Sequence, residues 1–403
     1  MFKKRIILTL LMLTLLLVAG CSGEEEVNVR IVELEEPQKE SEVAEEAAGT
    51  TPPDNLSLDS DVCLTYAIEE SEQQYAEASQ QYEEAEPGYS VINMPHGYLA
   101  IQHIFFINDY LPSRIAFSCR ERDAAKWIIE ELLVMGYVAD EIEMQTFSRD
   151  AAQLRLHPER PLHTFDTSAF DMRLYSQNVI LTVPGQSEYT IVIGAHYDSY
   201  PYPGASDNAS GMGILLELAH RLRFLDNYFT VEFVFFGAEE SWWIGAHYYL
   251  YRLCEESKHN IVLMVNADIL LDGDTLIYAT GHGANRNNPD TNDMTIRIDS
   301  VAERLNAQYG LELISVPRGL SINSDHTPFF YAGHTALFLF AADYEVPGGR
   351  FFNNRLFHTA RDCIHYINAN MPGRTERNMR AFAIFLEEIL LLSTCPVGTT
   401  FPN

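Results

Sequence analysis

Three segments of the chain, TIVIGAH (190–196), TVEFVFFGA (230–238) and NIVLMVNA (260–267), are near-continuous apolar runs followed by turn or polar residues. A run without polar alternation must be buried on both faces, as the strands of a parallel sheet are. Between these runs lie SGMGILLELAHRLRF (210–224) and IGAHYYLYRLCEE (244–256), whose apolar residues recur at helical spacing. ERDAAKWIIEELLVMGY (121–137) precedes them as a further helix, with Gly136 as its C-cap. TLIYAT (275–280) and TALFLF (335–340) read as strands, residues near 293–309 as a helix, and helices continue to about 393. Strands alternating with helices specify an α/β fold, with a largely parallel or mixed sheet covered by helices on both faces. The chain has no internal repeat, and neither G-x-G-x-x-G nor G-x-S-x-G occurs in it.

Open α/β sheets place their sites at the carboxyl ends of strands. Here those ends carry His196 and Asp198, then Glu239 and Glu240, then Asp268. Asp207 follows in G-A-S-D-N-A-S-G, and His358 and Asp362 come much later in L-F-H-T-A-R-D. Each has a plain structural explanation when taken alone. A strand-end His can be a satisfied structural residue, Asp207 an N-cap for the following helix, and a Glu pair a solvated helix start. Together they are harder to explain by packing. Several carboxylates delivered to one sheet edge repel one another and call for a cation. Two His among them suit zinc, with manganese or cobalt as substitutes, and suit calcium poorly. Asp198 is placed to accept the second ring N–H of His196. Of the adjacent glutamates, one would bind metal while the other takes a proton from water.

In order and spacing, His196-Tyr-Asp-Ser, Ser206-Asp-Asn-Ala-Ser-Gly, Gly237-Ala-Glu-Glu, Asn266-Ala-Asp, Ser324-Asp-His and His358-Thr-Ala-Arg-Asp resemble the co-catalytic dizinc exopeptidases. These are the relatives of aminopeptidase Y and of secreted bacterial leucyl aminopeptidases (peptidase clan MH), and the resemblance covers about residues 95–390. It implies a single-domain α/β fold, a mixed, mostly parallel sheet sandwiched between helices. It implies two Zn2+ ions bridged by Asp207, with His196 and Asp268 completing one site and Glu240 and His358 the other. Glu239 would be the general base, assisting attack by a zinc-bound hydroxide, and Asp198 the partner of His196. Ser324-Asp325-His326 would support the site, and Asp207–Asn208 would be a cis peptide. The implied activity is release of N-terminal residues from peptides with a free N-terminus. Glutaminyl cyclase and carboxypeptidase or dipeptidase action on the same fold are the alternatives, with Arg318, Arg350 and Arg355 the candidate basic residues for the latter. An inactive binding lipoprotein is the least favoured reading.

Two departures stand out. Phe357 occupies a position where some relatives carry Tyr, and Ser241-Trp242-Trp243 follows the glutamates in place of small residues. The tryptophans either narrow the substrate pocket or cover a helix–sheet interface. The Tyr200-Pro-Tyr-Pro loop either lines the cleft mouth or is a rigid turn.

The N-terminus addresses location. Lys3, Lys4 and Arg5 precede an apolar run from Ile6 to Gly20, too short to span a bilayer and suited to a signal peptide. The run ends in V-A-G-C-S, which resembles a lipobox with Cys21 as the lipidated mature N-terminus. Residues 22–90 hold 20 acidic and 2 basic side chains, more than half of the formal net charge of −30, so they read as a solvated stalk. Such a charge opposes nucleic-acid binding. The expected organisation is a signal peptide over 1–20, an acidic, largely disordered stalk over 21–90 and a catalytic domain over 91–403. The protein is expected to be exported and lipid-anchored on the extracytoplasmic face of the cell membrane. Cys63, Cys119, Cys254, Cys363 and Cys395 form no C-x-x-C, and export would permit a disulfide.

Overall fold

A computed structural model describes residues 91–149, 151, 175–283, 289–343 and 356–392. Its helices, in chain order, are α1 (Tyr98–Tyr110), α2 (Cys119–Val134), α3 (Ser210–Leu222), α4 (Ile244–Arg252), α5 (Glu255–Asn260), α6 (Asp293–Tyr309), α7 (His326–Tyr331), α8 (Ile364–Asn370) and α9 (Arg374–Leu390). The strands are β1 (Ile142–Ser148), β2 (Tyr175–Val183), β3 (Thr190–His196), β4 (Thr230–Phe236), β5 (Ile261–Ala267), β6 (Thr275–Gly281), β7 (Ile314–Ser315) and β8 (Ala336–Ala342). They form one eight-stranded sheet in the order β1-β2-β4-β3-β5-β8-β6-β7. The block β4-β3-β5-β8 is parallel, while β1, β2 and β6 join through antiparallel pairs. This is the expected mixed α/β sheet.

Alternation within the apolar runs builds both faces. Ile191, Ile193, Phe233, Phe235, Leu263 and Val265 face one side and pack with α1, α2, α3 and α9. Val192, Val234, Phe236 and Met264 face the other, against Ala246 and Tyr249 of α4 and Phe329 of α7. Helix α3 is buried almost all round because it is covered by α1 and α9 in turn.

Two differences from the sequence reading have local causes. The helix expected over 244–256 is two, because Leu253 is extended and Cys254 starts α5 by accepting the Ser257 amide at 3.4 Å. Strands β1 and β2 and helix α1 lack the uninterrupted pattern of the central elements. β1 alternates as a half-exposed edge strand, and β2 opens on the buried polar Ser176, Gln177 and Asn178. The signal segment, the acidic stalk, Cys21, Cys63, Cys395, Arg350 and Arg355 lie outside the described residues.

Candidate metal centre

Parallel pairing brings the three strand ends together. His196, the last residue of β3, is in register with Phe236, the last of β4, and Asp268 directly follows β5. Glu239 and Glu240 sit three and four residues beyond β4. Their backbone amides both donate to the Asp198 carboxylate, at 2.9 and 3.1 Å, so one buried acid fixes the turn carrying both glutamates.

Asp207 is held in a turn before α3. Gly204 starts that turn at φ +62°, and a Cβ there would lie 2.4 Å from the Asp207 carbonyl, so only glycine fits. The Asp362 carboxylate accepts the Ser206 and Asp207 amides at 2.5 and 3.0 Å. The Asp207–Asn208 peptide is cis, as expected. Asn208, not Asp207, serves the helix start, its Oδ1 accepting the Gly211 amide at 2.9 Å. The Asp207 carboxylate is left to face two imidazoles.

That geometry defines the centre. Asp207 Oδ1 is 3.0 Å from His196 Nε2, and Asp207 Oδ2 is 3.1 Å from His358 Nε2. His196 Nε2 also lies 3.2 Å from Asp268 Oδ1, and His358 Nε2 3.1 Å from Glu240 Oε2. Two groups with metal-ligand geometry result, His196–Asp207–Asp268 and Asp207–Glu240–His358, sharing Asp207. All five expected ligands are brought together.

The electrostatics fit a cation site. Burial opposes charging His358, yet the hydrogen bonds and charges of Asp207 and Glu240 outweigh it and lift the imidazole to about 10. Burial likewise works against a charged His196, but Asp268 and Glu239 raise it well above its ordinary value. Asp207 is buried too, and its two histidine partners hold it below the usual carboxylate range. Burial and the neighbouring Asp207 push Glu240 up to about 8. Protons on the imidazoles thus offset the crowded acids. Two histidine nitrogens and three carboxylates are a donor set that divalent zinc can bind in place of those protons.

The remaining expected residues fall as follows. Glu239 is buried beside the centre but belongs to neither ligand group, and burial, then Asp325 and Glu240, raises its carboxyl well above the usual range against the pull of His196. Asp198 serves His196 mainly through its backbone: His196 Nδ1 donates to the Asp198 carbonyl at 3.0 Å, while the carboxylate stands at 3.5 Å. The side chain also holds the glutamate turn. Ser324 donates to Asp268 Oδ2 at 2.7 Å, the supporting role expected of its segment. Phe357 is buried with its edge to His358. Trp243 packs against the core between α4 and the sheet, whereas Trp242 is 58% exposed. Tyr200 stacks on His358, placing the Tyr-Pro-Tyr-Pro loop at the centre. Arg318 is exposed on a short 3-10 turn, Pro317–Ser321.

Three buried charged residues that support the centre were not singled out from the sequence. Arg114 donates to the carbonyls of Tyr197, Leu111 and Pro203 at 2.7, 3.0 and 2.8 Å, pinning the loop between His196 and Asp207. Burial lowers its guanidinium to about 10 against the pull of Asp198, Asp362, Asp207 and Glu240. Glu121 accepts the Ala238 amide at 3.0 Å, just before the glutamates. Asp272 accepts the amides of Leu356 and Phe357, anchoring the segment that carries His358. Arg114 and Glu121 both fall within S-R-I-A-F-S-C-R-E (113–121), outside every motif singled out above.

Residues 178–383 match the model of Peptidase family M28. The alkaline phosphatase isozyme conversion protein of Escherichia coli is 26% identical over 304 residues, which cover 68% of this chain and 84% of that protein. Aminopeptidase YwaD of Bacillus subtilis is 29% identical over 197 residues, covering 48% of this chain and 41% of YwaD. Among solved structures, BSAP, a zinc aminopeptidase from Bacillus subtilis, shares the fold with a TM-score of 0.57 at 17% identity, covering 73% of this chain and 95% of that one.

Proposed function

The chain belongs to Peptidase family M28, and from that premise we propose that it is a zinc aminopeptidase with a two-metal centre. The observation that carries this reading is the position of Asp207, its two oxygens 3.0 and 3.1 Å from the Nε2 atoms of two different histidines. His196 and Asp268 would hold one ion, Glu240 and His358 the other, with Asp207 between them. When bound, the ions would acidify a water molecule and polarise the scissile carbonyl.

The protein groups do the proton work. Glu239 takes a proton from the attacking water as the new C–O bond forms. It returns that proton to the amine as the C–N bond breaks. It is buried beside the two ligand groups without belonging to either, which leaves its carboxylate available for that proton. The Asp198 carboxylate keeps Glu239 and Glu240 in one turn, so base and ligand are set together. Surrounding carboxylates would also hold the free α-amino group of the substrate.

The competing readings are less well supported. A glutaminyl cyclase resembles a one-zinc site, and a second complete ligand group speaks for two ions. A carboxypeptidase needs a basic group free to meet a carboxylate. Among the described residues, Arg114, a basic neighbour of this centre, is committed to backbone carbonyls. An inactive scaffold would not be expected to keep five ligands and a base. Export is supported by Cys363, which is disulfide-bonded, as suits an oxidising compartment. We assign residues 1–20 to a signal peptide, 21–90 to a stalk and 91–403 to the catalytic domain, with the lipid on Cys21.

The test is release of a chromophore from a panel of unblocked aminoacyl anilides, beside an N-acetylated control. Cleavage of the unblocked compounds alone, abolished by chelator and restored by zinc, is the expected result. A folded protein that binds zinc but cleaves none of them would shift the assignment to a cyclase or carboxypeptidase.

A further inference from the structure

The two imidazoles of the centre are oriented by different means. His196 is buried, and its Nδ1 donates to the Asp198 carbonyl at 3.0 Å. His358 has a side chain 33% exposed, and among the described residues its polar contacts run through Nε2, to Asp207 and Glu240. An imidazole ligand is ordinarily fixed in tautomer and plane by a hydrogen bond at its remote nitrogen. No described residue makes such a bond to His358, and what the described residues supply to set its plane is packing.

Packing supplies it from two sides. The Tyr200 ring lies over the imidazole with centroids 3.8 Å apart and planes 24° from parallel. Phe357 meets it edge-on at 4.9 Å and 75°. Tyr200 is 43% exposed, yet its loop is tightly tied. Ser199 Oγ donates to the Tyr200 carbonyl at 3.0 Å, the Ser113 amide to Tyr202 at 3.0 Å, and Arg114 to Pro203 at 2.8 Å. Pro201 and Pro203 further restrict the loop. The same short segment therefore joins the two ligand groups: it begins at His196, ends at Asp207 and places a ring on His358.

We propose that Tyr200 is a positioning residue for the Asp207–Glu240–His358 site, its ring clamping the His358 imidazole in the plane that turns Nε2 toward the metal. The stack does for His358 what the Asp198 carbonyl does for His196. The inference rests on the metallopeptidase reading, and it predicts a role for the ring and none for the phenol oxygen.

The experiment is titration of the metal-free full chain with zinc alone, in competition with a chromophoric chelator, for wild type, Tyr200→Phe and Tyr200→Ala. Wild type and Tyr200→Phe should bind two equivalents alike. Tyr200→Ala should bind one equivalent as wild type does and the other roughly 3- to 10-fold more weakly. With zinc restored to saturation, its kcat should fall while KM stays near the wild-type value. Two wild-type equivalents in Tyr200→Ala would overturn the proposal, even if substrate preference changed, because Tyr200 would then act on the substrate. Equal losses in the Phe and Ala variants would assign the effect to the hydroxyl and overturn it as well. A wild-type chain that took up no zinc would overturn the metallopeptidase reading along with it.

Discussion

At the scale of single residues, the proposed chemistry rests on giving neighbouring carboxyl groups different tasks. Glu239 and Glu240 are adjacent in sequence and share Asp198 as their anchor, but only Glu240 meets a histidine of the ligand groups. Glu239→Gln should therefore lower kcat by about 10²- to 10⁴-fold while zinc content stays at the wild-type level. Glu240→Gln should lower zinc content itself. Steady-state kinetics beside metal analysis of the purified variants separates the two, and near-wild-type turnover by Glu239→Gln would remove it from the proton path. His196, Glu240 and Asp268 could be singled out as candidate ligands in the sequence because acids and histidines just after buried apolar strands have no packing rationale, whereas Asp207 and His358, farther from any strand end, were drawn in by the rest of the set and by the resemblance. Arg114, Glu121 and Asp272 were not singled out. A charged side chain in a sequence reads by default as surface, and Glu121 in the first turn of α2 passes for an ordinary helix-start acid. Their burial is set by contacts with segments far along the chain, such as Ser176 and Ala238 for Glu121. For Asp198 the sequence identified the right neighbour, but the contact is chiefly a backbone one. The strand-end position alone does not decide which atoms of Asp198 face the imidazole.

At the scale of elements, the central strands were readable because burial on both faces leaves an unbroken apolar run. The periphery was harder because its stability comes from particular long-range bonds. Helix α1 shows this. Its first turn is held by Glu217 of α3, whose carboxylate accepts the Gly97 and Ala100 amides at 2.8 and 2.9 Å. The same carboxylate pairs with Arg221 at 3.0 Å, and both side chains are buried. Glu217→Ala would strip two amides of their acceptor and leave a guanidinium without its nearest counter-charge. The expected loss is about 3–5 kcal/mol of unfolding free energy. Glu217→Gln, which keeps an acceptor oxygen, should lose less. Urea denaturation of the three proteins measures this, and a variant within 1 kcal/mol of wild type (roughly the worth of a surface pair) would show that α1 is secured by apolar packing alone. Because α1 packs on α3 rather than carrying a ligand, anilide cleavage by the folded fraction should be unchanged.

At the scale of the whole molecule, charge and the proposed membrane location pull against each other, and that tension makes the anchor testable. Among the described residues, no helix is long and apolar enough to cross a membrane. The chain's formal net charge is −30, concentrated in residues 22–90. An acidic segment next to an anionic leaflet is repelled, where a basic one would be drawn in. The membrane attachment proposed above would therefore be hydrophobic. Acyl chains on Cys21 would provide it, since two or more chains hold a protein to a bilayer where a single one binds only marginally. In a bacterial host, the full chain should incorporate labelled palmitate, lose residues 1–20 and remain in the membrane pellet through washes with high or low salt. Cys21→Ser should incorporate no label. Because an unprocessed signal segment is itself apolar, sedimentation of this variant is not the deciding readout; the label and the mass of the N-terminus are. A labelled Cys21→Ser protein, or a wild-type chain released by a salt wash alone, would count against the lipid anchor and leave the zinc centre untouched, because the ligands lie between residues 196 and 358, far along the chain from Cys21.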